Sequence, residues 1–196
     1  MTEAGIFLKR IGPGIDVPPI RYAHRDDYFL FGFVESGYCR IALDFEEYDL
    51  HAGEMFCVRP GQVHRLADER TVRGTVLFVD AACIDAGDRR TLTEFAFQPH
   101  PLSLEPPLWH ELEALFDMIG HRTEALQTSD AEVVKRLIRL LAGAVVGMIA
   151  DAVRQTLRNR SATGRQVDLA LAFRELLDRD RLLEGGPARY AAELHV

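Results

Sequence analysis

The chemistry available to this chain rests on two histidines, a few acids and arginines, and some aromatic rings. His24 and Asp26 are separated by one residue, and His64 follows the turn Pro60-Gly61-Gln62-Val63. Two imidazoles and one carboxylate can hold a divalent metal in a facial arrangement that leaves positions open. The same groups can instead hydrogen-bond each other, the backbone or a small ligand. Spacing alone fixes no coordination geometry, and the pattern is read as ligand-binding, with no resident metal and no cofactor. Arg21 and Arg59 suit a ligand carboxylate, which a guanidinium grips in fork geometry. Tyr28 and Phe78 offer rings to a sugar or an aromatic acid. The serines, aspartates and cysteines form no nucleophile motif. The candidate ligand-binding set is therefore Arg21, His24, Tyr28, Arg59, His64 and Phe78, and the catalytic set is empty.

These residues must be placed by strands. Gly53-Glu54-Met55-Phe56-Cys57-Val58-Arg59-Pro60-Gly61-Gln62-Val63-His64 reads as a turn, a short apolar strand, a Pro-Gly turn and a histidine entering the next strand. Further strands are expected over Asp27–Glu35, over Gly37–Phe45, around Tyr48 and over Val72–Asp80, with turn residues between them. Short strands at such spacing form an antiparallel sandwich or small barrel. If His24 points inward, alternation puts Asp26, Tyr28, Leu30 and Gly32 on the same face. Phe29, Phe31 and Phe33 then face outward and need a cover. Residues 81–105 read as a long connection with one short helix, and residues 1–20 as an edge strand, a coil, or an arm over the barrel mouth. After Pro106-Pro107 the period becomes helical, with Leu108, Trp109, Leu112, Leu115, Phe116 and Ile119 recurring to about residue 126. Ser129-Asp130-Ala131-Glu132 is a capping box that opens a helix to about Leu157. Thr163-Gly164-Arg165-Gln166 is a weaker one.

Gly53-Glu54, Pro60-Gly61 and His64 resemble the second motif of cupin barrels. Arg59 stands where that motif has its proline. Arg21–Leu30 occupies the place of the first motif: His24 matches its first histidine, Asp26 its second, and Leu30 lies near its glutamate. The ending Pro-Gly-Gln-Val-His looks like the sensor domain of AraC-type transcription regulators. The resemblance implies an α+β fold, a cupin-like antiparallel β-barrel followed by helices, that takes up a small-molecule effector, a sugar or an aromatic or carboxylic acid. It implies an N-terminal arm that responds to effector, and a protein that is not an enzyme. The alternative is a metal-dependent cupin dioxygenase or isomerase using His24, Asp26 and His64; the absent glutamate weighs against it.

The implied organisation is a sensor barrel over residues 1–105, a helical packing and dimerisation region over 106–181, and a linker with a first helix over 182–196. Val134, Leu137, Leu141, Ala144 and Met148 follow near-heptad spacing, beside a second stripe of Ile138, Val145, Ile149 and Ala152. The resemblance points one stripe at a second subunit, giving a homodimer; both stripes burying within one subunit is the alternative. Tyr190-Ala191-Ala192-Glu193-Leu194-His195-Val196 resembles the opening helix of a helix-turn-helix whose reading helix would follow.

Composition sets the outer bounds. The chain has 196 residues, 47% hydrophobic, with net charge −7, so a sizeable core is expected and disorder is not. No run dense in lysine and arginine offers a phosphate-binding face, and DNA contact is expected only through a further domain. Cys39, Cys57 and Cys83 have no metal-type spacing, which fits thiols in a reducing cytoplasm. The longest apolar stretch, Leu140–Ala150, is too short to span a bilayer.

Overall fold

The structure, a computed structural model, describes residues 4–13, 22–68, 72–97, 101–124, 131–159, 169, 172–173, 176–177 and 187–195. It divides into two compact units, Met1–Arg154 and Gln155–Val196. The first unit opens with seven strands: β1 (Ile6–Ile11), β2 (Tyr28–Ser36), β3 (Tyr38–Leu43), β4 (Glu46–His51), β5 (Glu54–Val58), β6 (His64–Asp68) and β7 (Arg73–Asp80). Helix α1 (Ala86–Phe97), the short β8 (Leu102–Ser103), α2 (Pro106–Glu124) and α3 (Ala131–Asn159) follow, α3 running on past Arg154.

The strands pair antiparallel in two ladders, β1-β7-β2-β5-β8 and β4-β3-β6. The expected α+β architecture, antiparallel strands followed by helices, is present; in detail, among the described residues the sheets stack in a jelly-roll-like way and are not closed into a barrel. The physical reason is that both sheets carry apolar side chains on their facing sides, Leu30, Val34 and Phe56 on one and Ile41 and Leu43 on the other, and hide them by packing together. The core between them draws Leu30, Val34 and Phe56 from the larger sheet, and Cys39, Ile41 and Leu43 from the smaller. One link between the sheet edges is a backbone bridge in which His24 and His64 exchange both hydrogen bonds, at 3.1 and 3.0 Å.

The phenylalanine stripe lies where alternation put it. Phe29, Phe31 and Phe33 are fully buried, and Phe33 meets Phe116 and Trp109 of α2 at ring distances of 4.8 and 6.5 Å. Pro106 and Pro107 occupy the first turn of α2, where a missing N–H costs nothing. The connection after β7 holds α1, a helix of 12 residues, opened by the Asp85 carboxylate accepting the Gly87 N–H at 2.8 Å. In α3, Ile138, Ala142, Val145, Ile149 and Val153 are buried. The capping boxes at Ser129 and Thr163 lie outside the described residues. In the second unit, residues 169, 172–173 and 176–177 are helical. A short helix α4 (Pro187–Glu193) buries Tyr190 edge-on against Phe173, with ring centroids 5.5 Å apart.

Candidate functional site

A cavity of about 420 Å³ lies between the two sheets. Its wall from the larger sheet is the inward face of β1 (Phe7, Lys9, Ile11), of β2 (Tyr28, Leu30, Gly32, Val34) and of β7 (Val76, Phe78), with Phe56 of β5. Cys39 and Ile41 of β3 and Leu66 of β6 face them. The polar groups gather where the chain enters β2 and β6: His24, Asp26 and His64 line the same cavity. A mainly apolar hollow of this size with a few convergent polar groups is the usual form of a small-molecule site.

The turn before His64 is built to hold it in place. Gly61 takes a positive φ of 73°, a conformation that suits glycine, and its N–H reaches the Asp26 carbonyl at 2.8 Å. Gln62 is fully buried: its amide donates to Asp44 at 3.0 Å and to the Ala96 carbonyl at 3.1 Å, and accepts from the Arg59 N–H at 3.2 Å. The turn is thereby fastened to the β3–β4 hairpin and to α1, and His64 emerges at a fixed angle.

His24 Nδ1 lies 3.0 Å from the Tyr22 carbonyl, and His64 Nδ1 lies 3.1 Å from the Gln62 carbonyl. Their Nε2 atoms lie 3.6 and 3.3 Å from the same Asp26 carboxylate oxygen. The rings sit 4.3 Å apart, centroid to centroid. Burial lowers the pKa of His64; His24 beside it pushes the same way, and the Gln62 carbonyl and Asp26 push back. Tyr28, next along the strand face, has its phenol pushed up to about 12, first by burial and then by the neighbouring Asp26 carboxylate.

Of the six residues read from sequence, His24, Tyr28, His64 and Phe78 line the cavity together. Arg59 does not belong to the lining. Its side chain turns away, with the guanidinium 4.5 Å over the Phe97 ring and 3.6 Å from Asp44; Phe56 and Val58 face the core between the sheets, and Arg59 alternates to the other face. Arg21 lies outside the described residues. Lys9, Phe7, Ile11, Phe56 and Leu66 were missed. The signal was present in β1, where Phe7, Lys9 and Ile11 alternate, but nothing in the sequence shows which face of an edge strand turns inward. Of the α3 stripe, Val134 is buried, Leu137 and Ala144 are exposed, and Leu141 and Met148 are half-buried.

Fold and site together define a small-ligand-binding α+β domain of cupin-like form. The chain belongs to the AraC-like ligand binding domain family, whose model matches residues 19–141. No curated protein matches it. Among solved structures, that of the AraC-like transcriptional activator CuxR aligns with 100% of this chain and 68% of its own, at 15% identity and a TM-score of 0.47. Oxalate decarboxylase from Bacillus subtilis aligns with 39% of this chain and 21% of its own, at 19% identity and a TM-score of 0.31. A cupin protein from Bacteroides fragilis aligns with 41% of this chain and 69% of its own, at 19% identity and a TM-score of 0.32.

Proposed function

We propose that this chain is the effector-sensing and dimerisation part of an AraC-type transcription regulator, working in the cytoplasm. The observation that carries the reading is the cavity: an apolar chamber with one polar cluster, inside a chain of a ligand-binding family. The lining favours an effector with an apolar or aromatic body and a polar end over a sugar with hydroxyls on every side, since each buried hydroxyl needs its own partner. Lys9 is the cation that faces such a ligand's carboxylate.

Sensing works by linkage: the effector shifts an equilibrium only by binding one arrangement better than another. Strand β1 suits this role. Phe7, Lys9 and Ile11 touch the cavity, while Arg10 on the opposite face donates to Glu35 at 2.7 Å and to Asp117 of α2 at 2.6 Å. A ligand drawn against β1 thus bears on α2. DNA contact falls to a helix-turn-helix, of which the segment from Tyr190 resembles the opening.

The test is a calorimetric and thermal-shift panel of aromatic carboxylates against monosaccharides. An aromatic acid should bind, and Phe78→Ala should weaken it at least about ten-fold, as expected when a buried ring contact is lost, while Arg59→Ala leaves it unchanged. Binding of sugars alone, or indifference to Phe78→Ala, refutes the chamber as the effector site.

A further inference from the structure

One buried nitrogen at the polar end of the cavity is an acceptor that no protein donor meets. A carbonyl oxygen can only accept, so Nδ1 of His64 carries the proton that points at Gln62 O, and Nδ1 of His24 the one that points at Tyr22 O. Each Nε2 is then an acceptor, and Asp26, their common neighbour, has no proton to give them. The three acceptors are not equally served. Asp26 has the Tyr28 phenol beside it, and the side chain of His24 is 18% exposed. His64 is 5% exposed and lines the cavity, and its Nε2 has no hydrogen-bond partner among the described residues. A buried acceptor left open is costly until a donor reaches it, and here a donor can come only from the cavity side.

The opposite pole of the cavity is Lys9. In the larger sheet Phe7 pairs with Phe78 and Phe78 with Leu30; one inward row further along, Lys9 pairs with Val76 and Val76 with Gly32. Tyr28, which leads back to Asp26 and His24, lies on the other side of the Phe78 row. The rings of Phe7 and Phe78, 5.6 Å apart, with Tyr28 edge-on to Phe78 at 5.5 Å, thus form an aromatic wall between the lysine and the histidines.

We propose that the effector is a hydroxyaryl carboxylic acid, with its ring on that wall, its hydroxyl donating to Nε2 of His64 and its carboxylate facing Lys9. A carboxylate is repelled from the histidine end, where it would meet the charge of Asp26 and two lone pairs. A hydroxyl suits that end because it brings the missing proton. This inference rests on the sensing function proposed above and narrows it. Its consequence is a sharp discrimination: a site that hydrogen-bonds a ligand hydroxyl rejects the analogue lacking it, because its own polar atom then stays unpaired.

The experiment is calorimetry of the chain with benzoates, phenylacetates and cinnamates, each unsubstituted, para-hydroxylated and para-methoxylated, so that the distance between the poles is covered. In the series that fits, the hydroxy acid should bind at least about ten-fold more tightly than its parent. The methoxy acid, which cannot donate, should bind no more tightly than the parent. His64→Phe should erase the difference between hydroxy and parent acids, Lys9→Met should weaken both by the same factor, and Arg59→Ala should preserve the difference. Circular dichroism melting reports whether each variant folds. Nitrogen NMR of the unmutated chain needs no variant: the hydroxy acid should shift Nε2 of one of the 7 histidines further than its parent does. Equal binding of hydroxy and parent acids, a gain that persists in folded His64→Phe, or a histidine signal indifferent to the hydroxyl overturns this inference and leaves the sensing function standing. If no aryl carboxylate binds the folded chain, this inference falls together with the aromatic-acid effector proposed above.

Discussion

Two glycines show how narrowly single residues set this cavity. A methyl group on Gly32 would meet the Phe56 ring at 2.1 Å, and one on Gly74 would meet the Phe33 carbonyl oxygen at 2.1 Å. The distances are equal and the consequences differ. Phe56 borders a hollow, so its ring can move into it; the carbonyl of Phe33 belongs to the β2–β7 ladder and cannot move without breaking the pairing. Gly32→Ala should therefore keep most of the stability and lose ligand space, whereas Gly74→Ala should cost about 1–3 kcal/mol or more, the range of forced overpacking. Thermal melts of both variants, with and without effector, check this; a Gly74→Ala chain as stable as the parent would show that the ladder gives way easily. Alternation was enough to put Asp26 and Tyr28 on the face of His24, because period two has only two faces to assign; His64 was found by its place after the Pro-Gly turn and Phe78 by its ring alone. Arg59 was picked by residue type against that rule: Phe56 and Val58 face the core between the sheets, so alternation puts Arg59 on the opposite face, over Phe97. Alternation was silent on Gln62, whose three bonds reach residues 18 and 34 positions away as well as its own turn.

At the level of elements, β1 is an edge strand that touches ligand space on one face and reaches α2 from the other. Among the described residues it lies at the edge of its ladder, paired only with β7, and edge strands open most readily. Beyond those backbone bonds it is secured by Arg10, which reaches Glu35, the buried Thr75 hydroxyl and Asp117. These ion pairs are partly exposed, so their worth is modest, but their loss is felt locally. Arg10→Ala should speed hydrogen exchange at the Ile6–Ile11 amides while the β3–β4 hairpin keeps its protection. Equal exchange in parent and variant would mean that the backbone pairing alone holds β1. The main strands and the helices over the phenylalanine stripe were legible because each has an apolar face at a fixed period. Whether the sheets close into a barrel was not legible, since closure depends on twist and stagger summed over all strands. Helix α1 was read only as one short helix in a long connection, because its buried residues Leu92, Phe95 and Ala96 make a narrow stripe in a polar segment.

For the molecule as a whole, the open question is what α3 presents outward. One face is spent on the core. On the other, Val133 and Leu140 are 55% and 61% exposed and Leu137 is 36% exposed, with Ala144 continuing the line. Of the near-heptad stripe read from sequence, Leu137 and Ala144 face outward and Val134 turns inward, while Val133 and Leu140, outside that stripe, are exposed beside them. Exposed apolar residues four and three apart, Val133, Leu137 and Leu140, form a seam that a second copy of the same helix can cover in two-fold fashion. The net charge of −7 opposes self-association at a distance, so a dimer must be held by apolar contact and should survive salt. Light scattering at micromolar concentration should show a dimer that persists in high salt. Leu137→Glu with Leu140→Glu should give a monomer with unchanged helical content, since both side chains are already in water before association. A parent chain that is monomeric, or a variant that still dimerises, would move the interface elsewhere and remove α3 from the path by which an effector in the cavity reaches a second subunit.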